Sequence, residues 1–212
     1  MNFGALFISL LVLLFSLTVH EMAHAWAADR LGDPTARLLG RISLNPAVHI
    51  DPIGTLLLPL LAFATGAPLI GWAKPVPVNI LKLRRFRRDY MLVAAAGPAS
   101  NIALAIGASL LLRVLPFSPS GVGSVDVGSP LYAILALSLQ VNVLLAIFNM
   151  IPVPPLDGGN VLWSLLPSHA ADRFDDFRPY GFIVLYGLML TGVLSTMMSG
   201  PYGLLLSLLW PT

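Results

Sequence analysis

The chain has 212 residues, of which 57% are hydrophobic and 10% charged, and its formal net charge is +2. So little charge over so much apolar surface excludes an ordinary soluble domain and points to a membrane protein. There are no cysteines, which excludes disulfides, thiolate metal sites and cysteine nucleophiles, so a catalytic metal would have to use His, Asp or Glu.

The first apolar run carries no charge from Met1 to Val19 and is predicted to span from about Gly4 to Ala28, with Asp29 and Arg30 marking its exit. It has no cationic leader and no small-residue cleavage site after it, so it reads as a retained helix rather than a signal peptide. The alternation in "RLLGRISL" predicts a short strand from Arg37 to Leu44, and Asn45-Pro46 and Asp51-Pro52 read as turns. From Ile53 to Ala73 the chain is apolar but interrupted by Pro59, Gly66 and Pro68. "WAKPVPVN" suits an edge strand, where proline is tolerated. With the residues that follow, it brings Lys74, Lys82, Arg84, Arg85, Arg87 and Arg88 into one loop, expected to face the cytoplasm. These basic residues set orientation and give no reason to expect a nucleic-acid partner.

A second span is predicted from "AAAGPASN" to about Leu115. The Ser/Gly/Pro-rich loop after it lacks Lys and Arg and is expected outside. A third runs from about Leu131 to Ile151, ends in "NMIPVPPLDGG", and leads to a short helix near Val161 to Leu166. The polar stretch "SHAADRFDDFRP" reads as a loop, with His169 on its surface, before a last apolar stretch from Tyr180 to Trp210 broken at Gly200-Pro201. If the end of the first span, the arginine-rich loop and Arg173/Arg178 share one side, the segment 53–73 must enter and leave on that side, as a re-entrant segment.

The chemistry concentrates in "HEMAH" at the end of the first span. His20 and His24, four residues apart, share a helix face and can aim their imidazoles at one metal ion. Glu21, the only glutamate in the chain, lies about 100° round the helix, placed to act as general base without ligating. Ionisable groups at membrane depth cost roughly 2.5 to 3.5 kcal/mol each on insertion scales, so three within about one turn require compensation, which a metal supplies. Asp157 in "PPLDGG" is the candidate third ligand, with N-capping of the following helix as its alternative role. His49 and Asp51 could cap a turn, hydrogen-bond behind the ligands, or offer an alternative ligand.

"HEMAH", "AGPASN" and "NMIPVPPLDGG", in this order and spacing, resemble the three signature segments of the site-2 protease family of intramembrane zinc metalloproteases. The resemblance implies that His20, His24 and Asp157 hold one zinc ion and that Glu21 is the catalytic acid/base. It implies that Asn149 sits near the site and helps hold substrate or the oxyanion, and it makes Asn101 a candidate neighbour of the ligands. It further implies a small sheet, here "RLLGRISL" and "WAKPVPVN", in which Val76, Pro77, Val78 and Asn79 grip an extended substrate by strand addition. The expected substrate is a membrane-spanning segment cut within or near the lipid bilayer.

The expected fold is therefore an all-α polytopic membrane protein. It is a bundle of about four to six transmembrane helices with a small membrane-associated β-sheet or re-entrant segment near the active site. One domain is expected over 1–212, with its catalytic core at about 4–166, C-terminal helices at 180–210, no room for the PDZ or CBS domain of many relatives, and the active site towards the cytoplasmic side of the cell membrane. The alternative is a metal-binding transporter or sensor, against which the lack of an internal repeat argues. A structural scaffold is a third reading, disfavoured by a glutamate at membrane depth.

Overall fold

The computed structural model describes residues 3–65, 73–115, 117–118, 125–126 and 128–211. Three of its helices are long and apolar enough to cross a membrane: α1 (Phe3–Leu31), α4 (Phe86–Val114) and α5 (Pro130–Asn149). Between α1 and α4 lie a short α2 (Thr35–Leu38), a π-helical turn at Pro52–Leu57 and α3 (Leu58–Thr65). After α5 come α6 (Asp157–Leu165), α7 (Ser168–Phe177), α8 (Gly181–Leu190) and α9 (Val193–Leu209). The α7–α8 run and α9 meet at 77°, and counting that bent pair as one crossing gives up to four spans. The bundle is thus smaller than the four to six spans expected.

Helix α4 is the central element, packing against α1, α5 and α6. Its seam with α1 packs Ala27 and Ala28 against Val93, with Ala96 beside them, and sets Gly97 against His20 and His24, small residues that let two membrane helices approach closely. Its seam with α5 buries Ala105, Ala108 and Leu112 against Leu135, Leu139 and Val143, with Tyr202, Leu205 and Leu206 of α9 packed over them. The start of α9 lies at the other end of the bundle, where Leu194 joins Ile151 and Leu156.

Several sequence expectations shift by a physical cause. The last apolar stretch bends at Gly192, whose φ of +74° suits glycine, while Pro201 is absorbed inside α9. The polar stretch from Ser168 is helical rather than loop, with Ala171 buried and Asp175 Oδ2 accepting from Trp163 Nε1. Helix α4 starts at Phe86, so Arg87 and Arg88 of the arginine-rich loop lie in its first turn. In the segment expected to re-enter, α3 has eight residues, about 12 Å of helix, well short of the roughly 30 Å hydrocarbon core; residues 66–72 of that segment lie outside the described residues.

The expected sheet near the site does not form. Among the described residues the strand pairing is Phe117–Ser118 with Val125–Asp126, in the α4–α5 connection, and neither segment named for the sheet takes part. Thr35–Leu38 is helical and Gly40 turns the chain at φ +68°. From Ala73 to Asn79 the backbone is irregular: Pro75 and Pro77 have no N–H, and side chains take several of its other groups. Arg41 donates to the carbonyls of Lys74 and Pro75, Glu21 accepts from Val76 N–H, and Asp33 accepts from Asn79 N–H.

Asp33 is the tie between the end of α1 and this segment. Its carboxylate accepts from Thr35 N–H at 3.0 Å, the Thr35 hydroxyl at 2.5 Å and Asn79 N–H at 2.6 Å. Burial by itself raises the Asp33 pKa, but these bonds and the nearby Lys82 charge outweigh it and hold the group below the ordinary carboxylate range. A folded value below the unfolded one means that the stabilisation is complete above about pH 4 and is lost as pH falls through the folded value. Asp33→Ala is expected to lower stability at neutral pH by about 2 kcal/mol. In thermal unfolding of detergent-solubilised protein the gap to wild type should close on acidification; a gap independent of pH would contradict this role.

Candidate metal centre

Helices α1 and α4 run antiparallel, with Arg84 N–H donating to the Leu31 carbonyl where their ends meet. From that shared end, His24 and Val93 are each seven residues in, and His20 and Gly97 each eleven. These residues therefore meet at about 10 to 17 Å depth along the bundle. Asp157 reaches the same place from the proline-rich bend after α5. It is the first residue of α6 and makes no capping bond, so the structure gives no support to its alternative role as a cap.

His20 Nε2 and His24 Nε2 are 3.0 Å apart, and Asp157 Oδ2 lies 3.1 Å from the first and 3.3 Å from the second. The far nitrogens are fixed from behind. His20 Nδ1 faces Asn101 Oδ1 at 2.6 Å, and His24 Nδ1 donates to the Val93 carbonyl at 2.7 Å. With each Nδ1 facing an oxygen, the two Nε2 atoms turn toward Asp157 Oδ2, a buried atom without a hydrogen-bond partner. Three electron-rich atoms facing one another repel unless a positive charge, a proton or a metal ion, joins them. Four ligands at zinc's usual 2.0 to 2.1 Å in a tetrahedron lie about 3.3 Å apart, close to the three spacings observed. The donor set therefore fits a zinc ion, with three protein ligands.

Glycines make the convergence possible. A Cβ at Gly97 would overlap both imidazole Nε2 atoms, and one at Gly158 would overlap the Met150 and Ile151 carbonyls. At Gly159 it would sit 2.9 Å from Pro154 N. "AGPASN" and "PPLDGG" thus carry glycine where α4 must pass the histidines and where the bend must fold onto α6.

Glu21, one residue after His20, accepts a hydrogen bond on Oε2 from Val76 N–H at 2.9 Å. One carboxylate oxygen is thereby held. The segment that supplies the N–H is pinned in turn by Arg41. That residue is 6% exposed, donates to the Lys74 carbonyl at 2.5 Å and the Pro75 carbonyl at 3.0 Å, and also bonds the Val48 carbonyl.

A family profile, Peptidase family M50, matches residues 123–191. The chain is 37% identical over 182 residues to "Putative zinc metalloprotease YwhC" of Bacillus subtilis, covering 85% of this chain and 79% of that protein. The chain belongs to peptidase family M50, the site-2 protease family. It is also 29% identical over 189 residues to "Putative zinc metalloprotease Rip2" of Mycolicibacterium smegmatis, covering 86% of this chain and 66% of that protein. No solved structure matches it. Membership in M50 makes it a membrane protein of a metallopeptidase family.

The remaining candidates of this M50 chain are not members of the His20, His24 and Asp157 group. Asn149 lies on the last turn of α5, and its Nδ2 donates back to the Leu145 carbonyl at 3.0 Å. Asp51 caps the Pro52–Leu57 turn, accepting from Ile53 and Gly54 N–H. His49 is buried beside it, with Nε2 on the Ser43 carbonyl at 2.9 Å and its own carbonyl accepting from Lys74 N–H. His49 and Asp51 therefore hold the loop over the site. His169 is exposed, as expected. Val76 and Val78 are half-buried, while Pro77 and Asn79 are exposed. The sequence reading missed Arg41 and the Val93 carbonyl. A buried arginine among apolar neighbours was a usable signal for the first; a backbone group leaves none.

Gly97→Ala is expected to push the imidazoles apart, so that purified protein retains less than a tenth of wild-type zinc; full zinc content would contradict the packing argument. Arg41→Met is expected to free residues 73–79, read as at least tenfold faster amide exchange at Val76. Unchanged exchange there would show that Arg41 does not hold the segment.

Proposed function

We propose that this chain is an intramembrane zinc metalloendopeptidase that hydrolyses peptide bonds within or near transmembrane segments of membrane proteins, as in regulated intramembrane proteolysis. The observation that carries the reading is the meeting of His20 Nε2, His24 Nε2 and the unpartnered Asp157 Oδ2 within 3.3 Å of one another, with Glu21 on the adjoining helix position. His20, His24 and Asp157 would hold one zinc ion per chain. When bound, zinc supplies Lewis acidity, polarising a carbonyl and lowering the pKa of water toward about 7.

The chain's own residues supply the rest. The Glu21 carboxylate takes a proton from the attacking water, and the protonated carboxyl then gives it to the departing amide nitrogen, so the proton is conserved across the cleavage. Val76 N–H keeps Oε2 in place and so leaves the other oxygen to carry the proton. The Val76–Asn79 segment begins beside this carboxylate, with Val76 N–H on Glu21, which supports its role in gripping unwound substrate; Asn149 at the end of α5 would contact the substrate on the other side. An apolar cleft of about 560 Å³ between α4, α5 and α9, lined by Pro98, Ile102, Ile147, Met150, Met198 and Pro201, is the route from the bilayer in this proposal. Access of water from the cytoplasm follows from charge. Arg84, Arg85, Arg87 and Arg88 cluster at the end of the bundle nearest the centre, and that end faces the cytoplasm of the cell membrane by the positive-inside rule. One domain over 1–212 is proposed to carry the whole activity.

Glu21→Gln is expected to bind zinc as the wild type does while cleavage of a single-span substrate in detergent falls by at least 10³-fold, the order expected for loss of a general base. Asp157→Ala is expected to lose both zinc and cleavage. A transporter or sensor would bind metal and cut nothing even as the wild type, and undiminished turnover by Glu21→Gln would remove the proposed base.

A further inference from the structure

Three polar side chains lie wholly inside the bundle, and two of them have no part in the account so far. Ser16 on α1, Asn101 on α4 and Asn142 on α5 are each 0% exposed, in helices that are mostly apolar. Asn142 Nδ2 donates to the Ser138 carbonyl and to Ser16 Oγ, both at 2.9 Å. Asn101 Nδ2 donates to Asn142 Oδ1 at 2.8 Å, and Asn101 Oδ1 faces His20 Nδ1 at 2.6 Å. The string crosses three helices and ends on a ligand-bearing ring.

Its direction is fixed at the far end. A backbone carbonyl accepts and cannot donate, so Ser138 demands the NH2 side of Asn142 and turns Asn142 Oδ1 toward Asn101. That oxygen demands the NH2 side of Asn101, which leaves Asn101 Oδ1 toward His20. An oxygen in that place takes the Nδ1–H, and a neutral imidazole protonated on Nδ1 keeps its lone pair on Nε2. His24 needs no such string, because its Nδ1 meets the Val93 carbonyl directly. Asn101 alone could present either face of its amide after a half-turn of its last torsion; the third helix removes that freedom.

We infer that Asn142 is a positioning residue for the metal centre: anchored on the Ser138 carbonyl, it dictates through Asn101 which nitrogen of His20 carries the proton, and so holds Nε2 ready to ligate. The inference rests on the zinc reading above, but its first readout does not need the metal. It is read by 15N NMR of metal-free, histidine-labelled protein in detergent at pH 8, with the His20 signal identified by its loss in His20→Gln, and then by zinc titration against a competing chelator.

Wild type is expected to show His20 as the Nδ1–H tautomer. Asn142→Leu is expected to shift the proton to Nε2 in a substantial fraction of molecules and to weaken zinc binding about 10- to 100-fold. Ser16→Ala is expected to keep the wild-type tautomer, since the Ser138 carbonyl still orients Asn142. Retention of Nδ1–H in Asn142→Leu overturns the inference even if affinity falls, because Asn142 would then serve packing alone. A shifted proton with unchanged affinity overturns it too. Should Asn142→Leu fail to fold, Asn142→Ala is read in the same way. A wild type that binds no zinc would remove the zinc reading, while the tautomer comparison would still decide the relay.

Discussion

Everything in this structure is arranged around the mutual repulsion of three electron-rich atoms brought together at membrane depth. Two imidazole nitrogens and one carboxylate oxygen, each about 3 Å from the others, gain nothing from meeting unless a cation is shared among them. In a low-dielectric interior their separate desolvation makes the meeting costlier still. The fold supplies the force that brings them there: an antiparallel α1–α4 pair in fixed register, and a proline-rich bend that carries Asp157 back into the bundle.

Close approach and polar satisfaction compete in such a place. Small residues let α1 and α4 come together, and Gly97 leaves no atom between α4 and the imidazoles. Yet each ring still needs an acceptor for its outer N–H. One ring takes a backbone carbonyl and the other a side-chain amide. The same economy shapes the segment over the site, where two prolines remove N–H groups and the Val76 and Asn79 N–H groups meet carboxylates. The backbone there is ordered by side chains rather than by a neighbouring strand.

How much of this was legible in the sequence follows from where each signal resides. His20, Glu21 and His24 stand out because helix periodicity alone puts the two histidines on one face, and the apolar context makes them conspicuous. Asp157 was found by its depth and by the glycines after it. The sheet was misjudged because alternation in "RLLGRISL" and "KPVPVN" describes side-chain burial, whereas strand pairing depends on backbone groups that Arg41, Glu21 and Asp33 claim. The bend at Gly192 was assigned to Gly200-Pro201, since a Gly-Pro pair reads as a break but an amphipathic or lipid-facing helix can absorb the proline. Asn142 stands beside Gln140 in an otherwise apolar stretch, and its purpose depends on Asn101 and the Ser138 carbonyl, which lie together only in three dimensions.

X-ray absorption at the zinc edge of purified wild-type protein tests the central claim most directly. The account predicts one zinc per chain, with two imidazole nitrogens and one carboxylate oxygen at about 2.0 to 2.2 Å, and little or no zinc signal in Asp157→Ala. Zinc bound with the same spectrum in both proteins, or no zinc in the wild type, would contradict it.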